Sequence, residues 1–183
     1  AACAMFHQAR WNNRRWWSIG WAFTGYELVR DVYPDAGDHA GHWETSLMLA
    51  LEPDRMLAGY RLRAGLEPKA KGYGGWDSVN GKQLTGHIAG HYLSAVSLMY
   101  AATGDARFKQ RADQLVVQLK EVQDKRGTGY LGALSDAEGR DGSDIFEKDI
   151  AEGRIRSGGF DLNGMWAPWY TLHKIMAGLL DVH

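Results

Sequence analysis

The sequence predicts an all-α fold built from helical hairpins, and three observations predict it. Apolar residues recur at helical spacing in separate runs. Proline, aspartate and glycine punctuate those runs where helices start and stop. No stretch shows the every-second-residue alternation of a half-buried strand.

The elements follow in order. Residues 1–42 have no clear period, and four tryptophans (Trp11, Trp16, Trp17, Trp21) crowd this end. From Trp43 the pattern turns helical, with Leu47, Leu49 and Leu51. Pro53 suits the first turn of a second helical run carrying Met56, Leu57 and Tyr60. Asp54 lies near its positive end, and Gly65 suits a stop. Pro68 to Gln83 reads as a loop. "LTGHIAGHYLSAVSLMYAATGD" (Leu84 to Asp105) is a helix that stops at Gly104, and Asp105 caps the next one. There Phe108, Ala112, Leu115, Val116, Leu119 and Val122 make an apolar stripe, so the pair forms an αα-hairpin. Gly127 to Trp166 reads as mostly irregular, a length more often functional than accidental in a compact domain. Pro168 opens a last helix with a buried stripe of Leu172, Ile175, Met176 and Leu179. "HYLSAVSL" from His91 and "HKIMAGLL" from His173 form a faint repeat, each near a helix start after a loop with Gly and Trp.

Composition narrows the function classes. A net charge of −1 with no dense Lys/Arg block argues against nucleic-acid binding through phosphate neutralisation. The uncharged run His87 to Gly104 is interrupted by His, Gly, Ser and Thr, so no membrane span is expected. Cys3 is the only cysteine, which excludes an intrachain disulfide and a cysteine-based zinc site built from this chain alone. Arg14 to Phe23 has basic residues before an apolar run, the order of a secretory signal, but no small-residue cleavage site follows. A secreted or periplasmic location is favoured over a cytoplasmic one. There is no Walker loop, dinucleotide fingerprint or G-x-S-x-G elbow.

His87 and His91 share one helix face. Ile88 stands where a zinc protease needs Glu, so that mechanism is not supported. Neutral imidazole both donates and accepts, which suits sugar hydroxyls. Gly86 and Gly90 each cost about 1 kcal/mol relative to Ala inside a helix. They call for close helix packing or close ligand approach. His173 lies beside the core stripe of its helix. Trp76, Trp166, Trp169 and Tyr130 lie in or next to loops that precede helices, and aromatic faces stack on sugars. Taken singly, each is more often a core residue; with three histidines near helix starts they indicate a polar, aromatic-lined pocket. Glycosidases use a carboxylate pair. Asp77, Glu138, Asp141, Asp144, Glu147, Asp149 and Glu152 are available, but no spacing singles out two.

These segments resemble a known family. "LALEPDRMLAGYRLRAGLEPKAKGYGGWDS", "LTGHIAGHYLSAVSLMYAATGD", "GYLGAL" and "WAPWYTLHKIMAGLLDVH" are similar to the N-terminal part of the β-L-arabinofuranosidases, glycoside hydrolase family 127 and its close relative family 146. The resemblance runs from about Tyr26 to His183, and residues 1–25 do not match. It implies that residues 26–183 are the N-terminal half of an (α/α)6 barrel whose helix starts point into the sugar pocket. It also implies retaining chemistry, with a zinc-bound cysteine as nucleophile and a glutamate as acid/base. Both are expected beyond this chain, so no catalytic residue, metal ligand or cofactor is assigned within it. Zinc belongs to the full-length enzyme.

What carries over is substrate-binding wall: His87, His91 and His173, with Trp76 and Tyr130. The glycines then read as a pocket mouth. The implied partner is an arabinofuranoside-containing glycan, with no nucleic acid and no membrane, and with self-association through the exposed barrel face. The alternatives are a non-catalytic carbohydrate-binding or pseudoenzyme module, and a self-associating structural fragment.

Overall fold

A computed structural model describes residues 51–183. The tryptophan cluster, the Arg14–Phe23 run, Cys3, the boundary at residue 25 and the helical run from Trp43 lie outside the described residues, save Leu51. The unit formed by Glu52–His183 is the one that carries the candidate site.

Its first helices are α1 (Pro53–Met56) and α2 (Ala58–Arg63), one run broken at Leu57. Pro53 occupies the first turn, where a missing amide hydrogen costs nothing. Met56, Leu57, Ala58 and Tyr60 are buried. Past the end of α2, Gly65 has φ 70°, and the Leu66 amide donates back to the Arg61 carbonyl at 2.8 Å. Arg61 is buried, yet its guanidinium is satisfied. It donates to both oxygens of Glu121 at 2.6 and 3.3 Å and to the Glu67 carbonyl at 2.8 Å. Those Arg61 hydrogen bonds hold the Glu121 carboxyl below its ordinary range.

The long hairpin is α3 (His87–Thr103) followed by α4 (Ala106–Arg126). Gly104 ends α3 at φ 68°, and Asp105 accepts from the Arg107 amide at 2.9 Å. On α4 the expected stripe is buried at Phe108, Ala112, Leu115, Leu119 and Val122, with Val116 at its edge. The last helix, α6 (Pro168–Val182), lies against α3. A Cβ on Gly90 would overlap the Lys174 carbonyl and stand 2.5 Å from the Ile175 nitrogen. A Cβ on Gly178 would stand 2.6 Å from the Gly90 oxygen and 3.0 Å from Leu93 Cβ. The two backbones touch, and they run in the same sense: His87 faces Tyr170 at their starts, and Leu93 faces Gly178 further on.

Two expectations need correction. Met176 is 64% exposed and Leu179 only half-buried; the face of α6 that packs is Thr171, Leu172, Ile175 and Gly178. A hydrophobicity pattern counts apolar residues without showing which side meets a neighbour. Nor is the fold wholly helical, although the stretch after Gly127 is mostly irregular as expected. It holds a helical turn, α5 (Gly142–Asp144), that runs into a π-type turn (Ile145–Ile150). A three-stranded antiparallel meander follows: β1 (Ser157–Gly158), β2 (Asp161–Leu162) and β3 (Met165–Trp166). Two-residue strands are too short to show alternation. The β2–β3 turn is Asn163-Gly164, with φ 49° and 87°, the pair a tight hairpin favours. Asn163 is buried, accepting from the Arg156 amide and donating to the Arg154 carbonyl, both at 2.7 Å. Leu134, Ile145, Met165 and Leu172 make an apolar cluster under this segment, with Tyr130, Phe146 and Ile150 against it. Among the described residues, no helix is long and apolar enough to cross a membrane.

The helix contact yields a prediction of inverted sign. Glycine to alanine in an open helix gains about 1 kcal/mol. Gly90→Ala should instead lose about 1–3 kcal/mol, as overpacking does. Urea unfolding midpoints of the variant and parent measure it, and a stabilised variant would refute the backbone contact.

Candidate functional site

The site grows from the starts of α3 and α6. Before α3, a 3-10 turn (Gly75–Asp77) presents Trp76. Asp77 is buried, and its Oδ1 accepts from the Gly86 amide at 2.7 Å. Thr85 Oγ1 donates to the Ser78 carbonyl at 2.5 Å. Gly86 has φ 100°, and the Tyr60 ring fills the place of its Cβ at 2.9 Å. Only glycine fits there without strain. Tyr60 donates its hydroxyl hydrogen to the Gly86 carbonyl at 3.0 Å. Burial first, then the Asp77 charge, pushes the Tyr60 hydroxyl well above its ordinary pKa, so it stays a donor.

His87 is buried, and its Nδ1 lies 2.8 Å from the Leu84 carbonyl. A carbonyl only accepts, so Nδ1 carries the hydrogen, and in the neutral ring Nε2 is left as an acceptor. His91 follows one turn later at the solvent rim. The two rings stand edge to face with centroids 6.0 Å apart. His91 Nε2 is 3.2 Å from the Tyr170 hydroxyl, and the Tyr170 ring is 6.3 Å from each histidine. Lys174 Nζ sits 4.8 Å above the Tyr170 ring. Partial desolvation, then the charges of Lys174, His87 and His173, lowers the His91 pKa.

The structure brings His87 and His91 together. Trp76 is 65% exposed and meets Trp166 edge to face at 6.4 Å, so the turn before α3 and strand β3 before α6 touch through their tryptophans. Lys82 of the first loop also pairs with Asp161 of the meander. His173 is exposed on α6, near enough to His91 to influence its charge. Tyr130 goes elsewhere. It packs on Phe146 at 5.8 Å and under the Arg126 guanidinium at 5.2 Å, with its hydroxyl wedged against Gly132 and Gly142. Burial raises the pKa of that hydroxyl.

Gly90 spends its bare face on the α6 backbone and Gly86 on the Tyr60 ring, so packing explains both glycines. Sequence reasoning did not single out Tyr170 or the pairing role of Asp77. Tyr170 is one turn before His173 and Lys174, a helical spacing that would have flagged it. Ala167, at φ 45°, precedes α6 in a left-handed conformation rare for alanine. Its amide donates to the Phe160 carbonyl at 2.7 Å.

Most of the loop carboxylates are occupied. Asp141 pairs with Arg126, Asp144 with Lys148, Asp149 with Arg140 and Arg154, and Glu152 with Arg154. Glu147 accepts from Ser143 at 2.9 Å. Among the described residues no three His, Cys, Asp or Glu side chains converge on a metal position, and the lone Cys3 lies outside them. These residues do not fit a thiolate-held zinc. The arrangement supplies two imidazoles, a phenol, an ammonium and indole faces, which can hold a polyhydroxylated ring.

The family model described as beta-L-arabinofuranosidase, GH127 catalytic domain, matches residues 38–183. No curated protein matches the chain.

An NMR titration should find His91 ionising below the ordinary imidazole value of about 6.5. Lys174→Met should raise that midpoint, because it removes a positive neighbour. A pKa depressed on folding means that the unfolded chain binds the proton more readily. The His91 contribution to stability is therefore full above about 6.5 and lost as pH falls through the folded value. A midpoint above 6.5, or one indifferent to Lys174, would overturn this account.

Proposed function

The chain belongs to the GH127 β-L-arabinofuranosidase catalytic-domain family, and from that premise we propose that it forms a sugar-binding wall of a glycoside hydrolase. The observation that carries the proposal is the meeting of His87 and His91, from the start of α3, with Tyr170, from the start of α6. Trp76 and Trp166 meet edge to face, and in this reading they add aromatic surface to the same wall. Imidazole and phenol groups exchange hydrogen bonds with hydroxyls, and indole faces stack on the apolar faces of sugars. His173 and Lys174 extend the wall along α6.

The architecture fits an (α/α)6 barrel. In that reading α3 and α6 are neighbouring helices of like sense, and α4 is the return limb of the hairpin between them. Their starts open on one side, where the sugar would sit. The sugar is an arabinofuranosyl residue of a glycan.

In this reading the wall binds and orients but does not cleave. A single cysteine cannot build the thiolate-rich zinc site that the family resemblance implies, and most candidate carboxylates are engaged in local pairs. His87 would accept a sugar hydroxyl hydrogen at Nε2, and His91 with Tyr170 would serve a second hydroxyl. A complete binding module would share this geometry, so turnover and binding are measured together.

Calorimetric titration of the 183-residue protein with L-arabinose should give saturable binding that His87→Ala abolishes and His173→Ala weakens. An aryl β-L-arabinofuranoside should show no turnover, with or without added zinc. Absence of any binding would sink the wall reading. Zinc-dependent turnover would sink the division between holding and cutting.

A further inference from the structure

We infer that Asp77 is a positioning residue, which ties the turn bearing Trp76 to the helix start bearing His87 and so sets the two walls of the site against each other. The consequence for a ligand rests on the sugar-binding reading, whereas the positioning itself does not.

Asp77 is only 5% exposed. A buried carboxylate is costly unless it is hydrogen-bonded. Its Oδ1 accepts from the Gly86 amide at 2.7 Å, an amide at a helix start that has no partner within the helix. The same oxygen lies 3.7 Å from His87 Nδ1, whose hydrogen goes to the Leu84 carbonyl. Leu84 also accepts from the His87 amide at 3.1 Å, so backbone and ring of His87 are held by one carbonyl. Asp77 faces this doubly held residue from the side of the turn. Trp76 immediately precedes it and reaches Trp166.

Among the described residues, one other hydrogen bond ties the same two segments, from Thr85 Oγ1 to the Ser78 carbonyl. That bond does not touch His87. The pair of bonds therefore separates two roles. Losing the Thr85 bond loosens the segment, whereas losing Asp77 also frees the histidine and the tryptophan from each other.

The test uses the 183-residue protein labelled with nitrogen-15. The His87 Nδ1 proton, held by Leu84, is assigned by its loss in His87→Gln. Asp77→Ala should broaden or abolish that signal and weaken L-arabinose binding about tenfold, the effect of one lost buried hydrogen bond. Asp77→Asn keeps an acceptor oxygen for Gly86, so it should retain the signal and bind within about threefold of the parent. Thr85→Val should lower Tm yet leave both readouts in place. Asp77→Ser, a milder truncation, gives the same comparison if the alanine variant does not fold. The inference is overturned if the alanine or serine variant behaves like Thr85→Val, with a lowered Tm and an unchanged signal. If the parent binds no arabinose, the sugar-wall reading fails, and the proton signal still decides the role of Asp77.

Discussion

The backbone contact at Gly90 and Gly178 is the constraint on which the rest of the described structure depends. Two helices approach this closely only where neither carries a Cβ at the crossing. Because α3 and α6 touch there and run in the same sense, their first turns are forced side by side. His87 and His91 then meet Tyr170, although about 80 residues separate them in the chain. The tryptophan contact and the Lys82–Asp161 pair between the preceding loops follow from the same approach. The helix-propensity cost of Gly90 and Gly178 is offset at the crossing.

Charge is distributed with a matching logic. The acidic groups of the segment after Gly127 are largely consumed by nearby arginines and a lysine, which brace the stretch around its apolar cluster. The mouth of the site keeps imidazoles, a phenol and an ammonium. Asp77, whose oxygen accepts from the Gly86 amide, is the carboxylate beside His87.

Features set by local chemistry were legible in the sequence. Pro53, Gly65, Gly104, Asp105 and Pro168 mark helix ends because each acts through its own backbone or its nearest amides. The His87–His91 pair was legible because four residues is one helical turn. Features set by distant packing were not. Tyr170 joins the histidines only through the helix crossing. Tyr130, which shares a motif with the resemblance, turns into the apolar cluster. Met176 reads as core but faces outward. The meander was hidden because its strands hold two residues each, although Asn163-Gly164 is a hairpin signal in its own right. Residue 167 shows the limit most plainly, since nothing in an alanine announces a left-handed backbone.

The bond from His87 Nδ1 to the Leu84 carbonyl has a consequence for discrimination. With its hydrogen committed inward, the neutral ring presents only a lone pair on its other nitrogen. A lone pair can be satisfied by a group that brings a hydrogen of its own. A hydroxyl does so; an ether, ester or carboxylate oxygen at the same point brings a second lone pair instead, and the two repel. Under the proposed sugar-binding reading, the position would read whether an oxygen still carries its proton, and a methylated or acylated sugar oxygen would be turned away by polarity, whatever its size.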